Sequence, residues 1–517
     1  MASSSSRSSC TCKYLVTLLL VFSINIQKVV NCNAFQTFGF EMHHRYSDQV
    51  KSIMGGDNLL EKGSLDYYAA MVHRDKVFRG RALAESNQDN SKLLTFSEGN
   101  QSFSLPQLGY LYYAYVTLGI PSLSFLVALD TGSDLFWVPC DVTSYGAELN
   151  FKIYDSNSSA TSKAVSCSNS LCELQRECRE SSSQCPYRVN YRDNTSSSGV
   201  LVEDVLHLII EDHEPKDIDA RITFGCQRNS VLSTGTPNGL FGLGMGNTSV
   251  PSILASKGLI ANSFSMCFGF DGVGRINFGD KGSSDQDETP FNLTQRHYEV
   301  SVTQLGMGQN LSDVPFSAIF DSGSSVTYLN DPAYAAICKS FDEQAIAALH
   351  KRIPSGPGNP YEYCYDVSSS SAEPFLPNVT LIMEGGSQFN VYGAIFAASN
   401  GITTIYCLAV VKSPDVNIIG QNFMTGYRIV FNREQMVLGW KPSNCYEIVD
   451  QSTRQKIPQI PKESPTTVNV QPRFVHGGTP RNGLNSGAPK FLVGKPQILY
   501  LTASSLNMLF LLILQIV

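Results

Sequence analysis

One short pattern occurs twice and limits what this chain can fold into. Ala128-Leu129-Asp130-Thr131-Gly132-Ser133 is echoed by Ile319-Phe320-Asp321-Ser322-Gly323-Ser324. Each copy delivers a carboxylate at the end of an apolar run, then a hydroxyl residue, a glycine and a second hydroxyl. The runs, Phe125 to Leu129 and Val314 to Phe320, read as strands. A single D-[ST]-G-[ST] is common turn chemistry. Two copies 191 positions apart, each behind a strand, point to two lobes of one duplicated domain.

The 517 residues exceed one typical core, which also favours two lobes with appendages. Short runs of Val, Ile, Tyr and Phe between Gly and Ser predict a mainly β fold. A net charge of −7 without any long basic run excludes a nucleic-acid partner. The eight histidines form no metalloprotease motif or catalytic triad. Gly242-Leu243-Gly244-Met245-Gly246 lacks the Lys-Ser/Thr ending of a phosphate loop and reads as a turn.

The paired motifs resemble those of the pepsin-like aspartic proteases, and the resemblance covers Tyr112 to Cys445. It implies a bilobal fold with the active site between the lobes, and hydrolysis of peptide bonds at acidic pH. Asp130 and Asp321 would be catalytic. Carboxyls about 3 Å apart hold one proton between them, as is established for this family. The charged one would activate a water and the protonated one would donate to the oxyanion. Thr131 and Ser322 would tie the two loops together, and Ser133 and Ser324 would hold the outer carboxylate oxygens. Gly132 and Gly323 would allow close approach. Asn238-Gly239-Leu240-Phe241-Gly242 and Asn417-Ile418-Ile419-Gly420 match the segments that thread beneath each active-site loop. No cofactor and no metal is implied, and a monomer acting on protein or peptide substrates is expected.

Residues 1–32 read as a signal peptide, with Arg7 and Lys13 ahead of an apolar run too short to span a membrane. Residues 33–104 carry His43-His44-Arg45 and Arg74, Arg79 and Arg81, and precede the first clear β signals. By resemblance they are a prosegment over the cleft, the alternative being a retained extension. The first lobe is expected at 105–291, opening with the strand from Tyr112, and the second at 292–445. The second closes with a hairpin whose turn is Asn432-Arg433-Glu434-Gln435.

Trp137 stands where the family places a tryptophan that bonds the flap tyrosine, matched here by Tyr191. Cys185 to Tyr191 and the following turn fit the flap hairpin. The usual Gly-Asp-Gly-Ser tip is replaced by Arg192-Asp193-Asn194-Thr195, which puts flap closure and substrate preference in question.

Fourteen cysteines suit an oxidising compartment. Beyond Cys140, the residues Cys167, Cys172, Cys178 and Cys185 crowd a Ser-rich stretch. A zinc site is the rival to disulfides, but the spacings of five, six and seven do not match paired zinc knuckles, and spacing does not give the connectivity. The insert resembles the plant nepenthesin-like branch, whose pattern implies Cys140–Cys226, Cys167–Cys185, Cys172–Cys178, Cys267–Cys445 and Cys364–Cys407. Cys338, on the apolar helical stretch Tyr334 to Cys338, would be a buried free thiol.

N-x-[ST] acceptors at Asn100, Asn157, Asn194, Asn247, Asn292, Asn310 and Asn378 predict a glycoprotein. Residues 446–488, rich in Pro, Ser, Thr, Gln and Asn, read as a disordered stalk. Residues 489–517 end in an uncharged apolar tail, preceded by small residues. This fits a GPI-anchor signal with attachment at Ser486 or Asn485, a tail-anchored helix being the alternative. The combined expectation is an aspartic endopeptidase, made as a zymogen and displayed on the outer face of the cell membrane. The alternative is an inactive protease-fold protein acting as a binding or inhibitor module. An adhesion ectodomain would explain the stalk but not the paired motifs.

Overall fold

The computed structural model describes residues 37–45, 47, 50, 64–80, 94–95, 102–103 and 112–445, apart from 141–152, 191–195, 211–215, 232–238, 294–295, 349, 357–358, 368–376 and 400–403. Tyr191, Asn100, Asn194, the signal segment, the stalk and the anchor region with Asn485 and Ser486 lie outside the described residues. Among the described residues no helix is long and apolar enough to cross a membrane.

The chain is mainly β. Among the described residues, a fourteen-stranded sheet runs from Asp287–Pro290 through the closing hairpin to the first-lobe strands. An eight-stranded sheet carries the second motif, and a four-stranded sheet packs beside it. The two motif strands sit at equivalent places. Leu123–Asp130 lies in the first sheet, parallel to Leu240–Gly242, with Gly242 opposite Asp130. Phe316–Phe320 lies in the second, parallel to Ile418–Ile419, with Phe320 opposite Ile419. Both faces of the first strand are covered, so Phe125 to Leu129 is a continuous buried run rather than an alternating one.

The closing hairpin forms where the sequence puts it, Tyr427–Asn432 against Val437–Pro442 with Asn432 opposite Val437. It joins the large sheet by pairing with Ser263–Phe268. Phe264 stacks on Phe431 at 4.8 Å, and Tyr298 donates to the Leu243 carbonyl at 2.6 Å. The lobes therefore share one apolar core. Burying three such rings is a large share of what holds the halves together, since each removes roughly 150–250 Å² from water.

β structure begins earlier than the sequence signals suggest. Phe38–His44 is a strand in the middle of the large sheet, between Val273–Phe278 and Tyr112–Leu118. Its two histidines read as part of a basic segment, yet both are buried. The Leu65–Gly80 helix follows and packs on the second lobe, with Val72 buried against Val326, Tyr328 and Tyr361.

Two expected disulfides are corrected. Cys140–Cys226, Cys267–Cys445 and Cys364–Cys407 are present, but Cys167 pairs with Cys178 and Cys172 with Cys185, not Cys167 with Cys185 and Cys172 with Cys178. The local register explains the difference. Ser166 bridges Gln184, so Cys185 faces Val165 and Cys167 faces Ser183, to whose carbonyl it donates. The short helical turn Gln175–Glu177 then returns Cys178 to Cys167. The sulfurs of Cys167, Cys172 and Cys178 lie within 4.8 Å of one another, all of them spent in disulfides. Cys338 is a buried free thiol on the Ala333–Ala347 helix.

Candidate active site

Each motif turns sharply as its strand ends, and the turn is braced from below. Leu243 donates to the Asp130 carbonyl at 2.9 Å, and Asp321 donates its amide to the Ile419 carbonyl at 3.1 Å. Glycine is required in both bracing segments. A Cβ on Gly242 would stand 2.2 Å from the Asp134 carbonyl oxygen, and one on Gly420 2.3 Å from that of Val326.

The two loops then interlock. Ser322 donates its amide to Thr131 Oγ1 at 3.0 Å, and Thr131 donates its amide to Ser322 Oγ at 3.2 Å. Thr131 Oγ1 donates to the Phe320 carbonyl and Ser322 Oγ to that of Leu129, at 3.3 and 3.4 Å. Both side chains are buried, so these bonds are made without competition from water.

The carboxylates are held alike. Ser133 Oγ donates to Asp130 Oδ2 and Ser324 Oγ to Asp321 Oδ2, both at 2.6 Å. The Gly132 amide donates to Asp130 Oδ1 at 2.9 Å and the Gly323 amide to Asp321 Oδ1 at 2.8 Å. The inner oxygens converge. A Cβ on Gly323 would lie 3.1 Å from Asp130 Oδ1 and 3.1 Å from Asp321 Oδ1, so twice that distance bounds their separation. Two acids from lobes far apart in sequence thus face one another, each with its outer oxygen already spoken for.

This geometry agrees with what the chain resembles. Residues 112–280 match the family described as xylanase inhibitor N-terminal, and residues 297–442 its C-terminal counterpart. The chain is 50% identical over 451 residues to aspartyl protease family protein 1 of Arabidopsis thaliana, spanning 84% of this chain and 87% of that protein. The chain belongs to the pepsin-like aspartic protease family of plants. A second family member, aspartic proteinase-like protein 1 of the same plant, is 39% identical over 79% of this chain and 82% of its own length. Aspartic proteinase nepenthesin-2 of Nepenthes gracilis is 22% identical over 65% of this chain and 78% of its own length. Among solved structures, basic 7S globulin from soybean superposes with a TM-score of 0.52 at 21% identity, covering 65% of this chain and 92% of that one. At such identity it shows the pepsin-like fold alone.

Other family positions fall as follows. Trp137 is buried and stands opposite Leu240. The strands Pro186–Asn190 and Ser196–Ile210, expected as the arms of a flap, pair antiparallel, with Asn190 opposite Ser196. Asn157, Asn247, Asn310 and Asn378 are exposed. Asn292 is half-buried and donates from Nδ2 to Glu299 at 3.0 Å.

One member of the site was not anticipated. Asp75, on the Leu65–Gly80 helix, is buried against the second loop. It accepts from the Ser325 amide, Ser325 Oγ, the Val326 amide and the Tyr328 hydroxyl. The duplication held the signal for part of this. Tyr328 lies seven residues after Asp321, as Trp137 lies seven after Asp130. Each stands opposite a bracing strand, Tyr328 against Ile418.

Proposed function

We propose that this family member is an aspartic endopeptidase with Asp130 and Asp321 as its catalytic pair. The observation that carries the reading is the convergence of the two Oδ1 atoms while Ser133 and Ser324 hold the Oδ2 atoms. A water between the inner oxygens would lose a proton to the charged carboxylate and attack the scissile carbonyl. The protonated partner would donate to the developing oxyanion, and the proton gained from water would pass to the leaving amine. The interlocked Thr131 and Ser322 fix the separation on which this exchange depends. Tyr191, paired with Trp137, would close over the substrate.

The rest of the reading is biological. Residues 33–104 are proposed as a prosegment, the protein as an N-glycosylated zymogen, and residues 489–517 as the signal for a GPI anchor at Asn485 or Ser486 that holds it on the outer cell surface. A binding or inhibitor role is the second reading, favoured by the xylanase-inhibitor description of the matching family. Casein digestion by the secreted protein at acidic pH separates the two. Digestion blocked by a pepstatin-type inhibitor is expected. Intact casein after removal of the N-terminal segment would favour the binding module.

A further inference from the structure

We propose that Ser325, Val326 and Tyr328 form a carboxylate-binding subsite of the cleft, filled here by Asp75, and that an acidic side chain of a peptide substrate takes the same place once the Asp75 helix has left. This rests on the protease reading given above.

Four donors meet one carboxylate. Asp75 Oδ2 accepts from the Ser325 amide at 2.9 Å, the Tyr328 hydroxyl at 3.1 Å and the Val326 amide at 3.3 Å. Asp75 Oδ1 accepts from Ser325 Oγ at 2.8 Å. These four donors are neutral groups, and the carboxylate they meet carries the charge. Charge-assisted bonds of this kind are about twice as strong as neutral ones, which favours a carboxylate over an amide or a water.

The cage belongs to the reacting centre by position. Ser325 directly follows Ser324, whose hydroxyl holds Asp321 Oδ2 at 2.6 Å. The first loop needs no such visitor. Its residue at the place of Ser325 is Asp134, whose own Oδ1 accepts from the Gly246 amide at 2.7 Å. The duplication thus left a carboxylate built in on one side and a receptor for one on the other.

The helix presents a matching face. Tyr68, Val72 and Asp75 recur at helical spacing. Tyr68 stacks on Phe396 with ring centres 3.7 Å apart, Tyr361 crosses Phe396 at 4.8 Å, and Val72 is fully buried between this shelf and the cage. Seven helical residues rise on the order of 10 Å, which an extended peptide spans in about three. The preferred substrate therefore carries an aromatic residue about three positions from its acidic one.

Two measurements test this. In the full chain with Asp130→Asn, which blocks cleavage, Asp75→Ala should speed hydrogen exchange at the Ser325 and Val326 amides at least tenfold. Acetate should slow it again and acetamide should not. Should Asp75→Ala fail to fold, the isosteric Asp75→Asn should still speed exchange at the same amides. Unchanged exchange, or equal protection by acetate and acetamide, would overturn the subsite whatever the fate of the protease reading. In the active enzyme at about pH 5, where Asp and Glu side chains are charged, kcat/KM for peptides with Asp or Glu at that place should exceed their Asn or Gln counterparts about tenfold, and Tyr328→Phe should shrink the ratio. Efficient cleavage with a ratio near one would refute the substrate preference alone.

Discussion

Thr131 and Ser322 exchange amide-to-hydroxyl bonds across the interface between the lobes, at 3.2 and 3.0 Å. By tying the two loops to one another, these bonds set where the inner carboxylate oxygens meet. Thr131→Ala removes the acceptor for Ser322 N and the donor to the Phe320 carbonyl. It should cost about 1–3 kcal/mol by chemical denaturation, because buried groups lose their partners. Peptide cleavage should fall by tenfold or more in kcat, since a small misplacement of reacting groups is expensive. Thr131→Ser should restore most of both.

The cysteine-rich insert makes a covalent prediction. Peptide mapping under non-reducing conditions should recover Cys167 joined to Cys178 and Cys172 joined to Cys185. Removing either pair should destabilise the insert by about 2–4 kcal/mol. Recovery of Cys167 with Cys185 would mean that the Ser166–Gln184 register is wrong.

Cys338 should be inert while the protein is folded. Burial pushes its thiol up to about 12, so almost no thiolate forms at pH 8. Alkylation by iodoacetamide should be negligible in the native protein and complete in denaturant. Fast native labelling would place this helix face in solvent.

Asp204 should make stability fall in acid. Burial pushes its carboxyl up, but hydroxyls of Ser159, Thr161 and Tyr154 and the Val205 amide outweigh that and hold it below the usual carboxylate range. A lowered folded value means stability is present above the unfolded value and lost as pH falls through the folded one. Asp204→Asn should therefore cost about 1–3 kcal/mol at pH 6. The difference from wild type should shrink as pH drops below the ordinary carboxylate range. A pH-independent difference would contradict this.

Much of the site was legible in the sequence because it is local. Asp130, Ser133, Asp321 and Ser324 form their bonds within four residues, and the motif encodes that turn directly. The bracing strands were legible through repetition. What stayed hidden depends on register or on distant partners. The pairing of Cys167 turns on which residue faces Ser183, and four crowded cysteines cannot declare that from spacing. Phe38–His44 carries histidines into a buried strand because its neighbours Val273–Phe278 and Tyr112–Leu118 cover it, and nothing within the segment announces them. Asp75 finds its donors some 250 residues away.

The paired acids are tested most directly by the turnover of a fluorogenic peptide at acidic pH. Asp130→Asn and Asp321→Asn should each remove about three orders of magnitude or more from kcat. The double variant should lose no more than the worse single one, because the two groups act as a unit. Cleavage persisting in either single variant, or losses that simply add, would contradict the account.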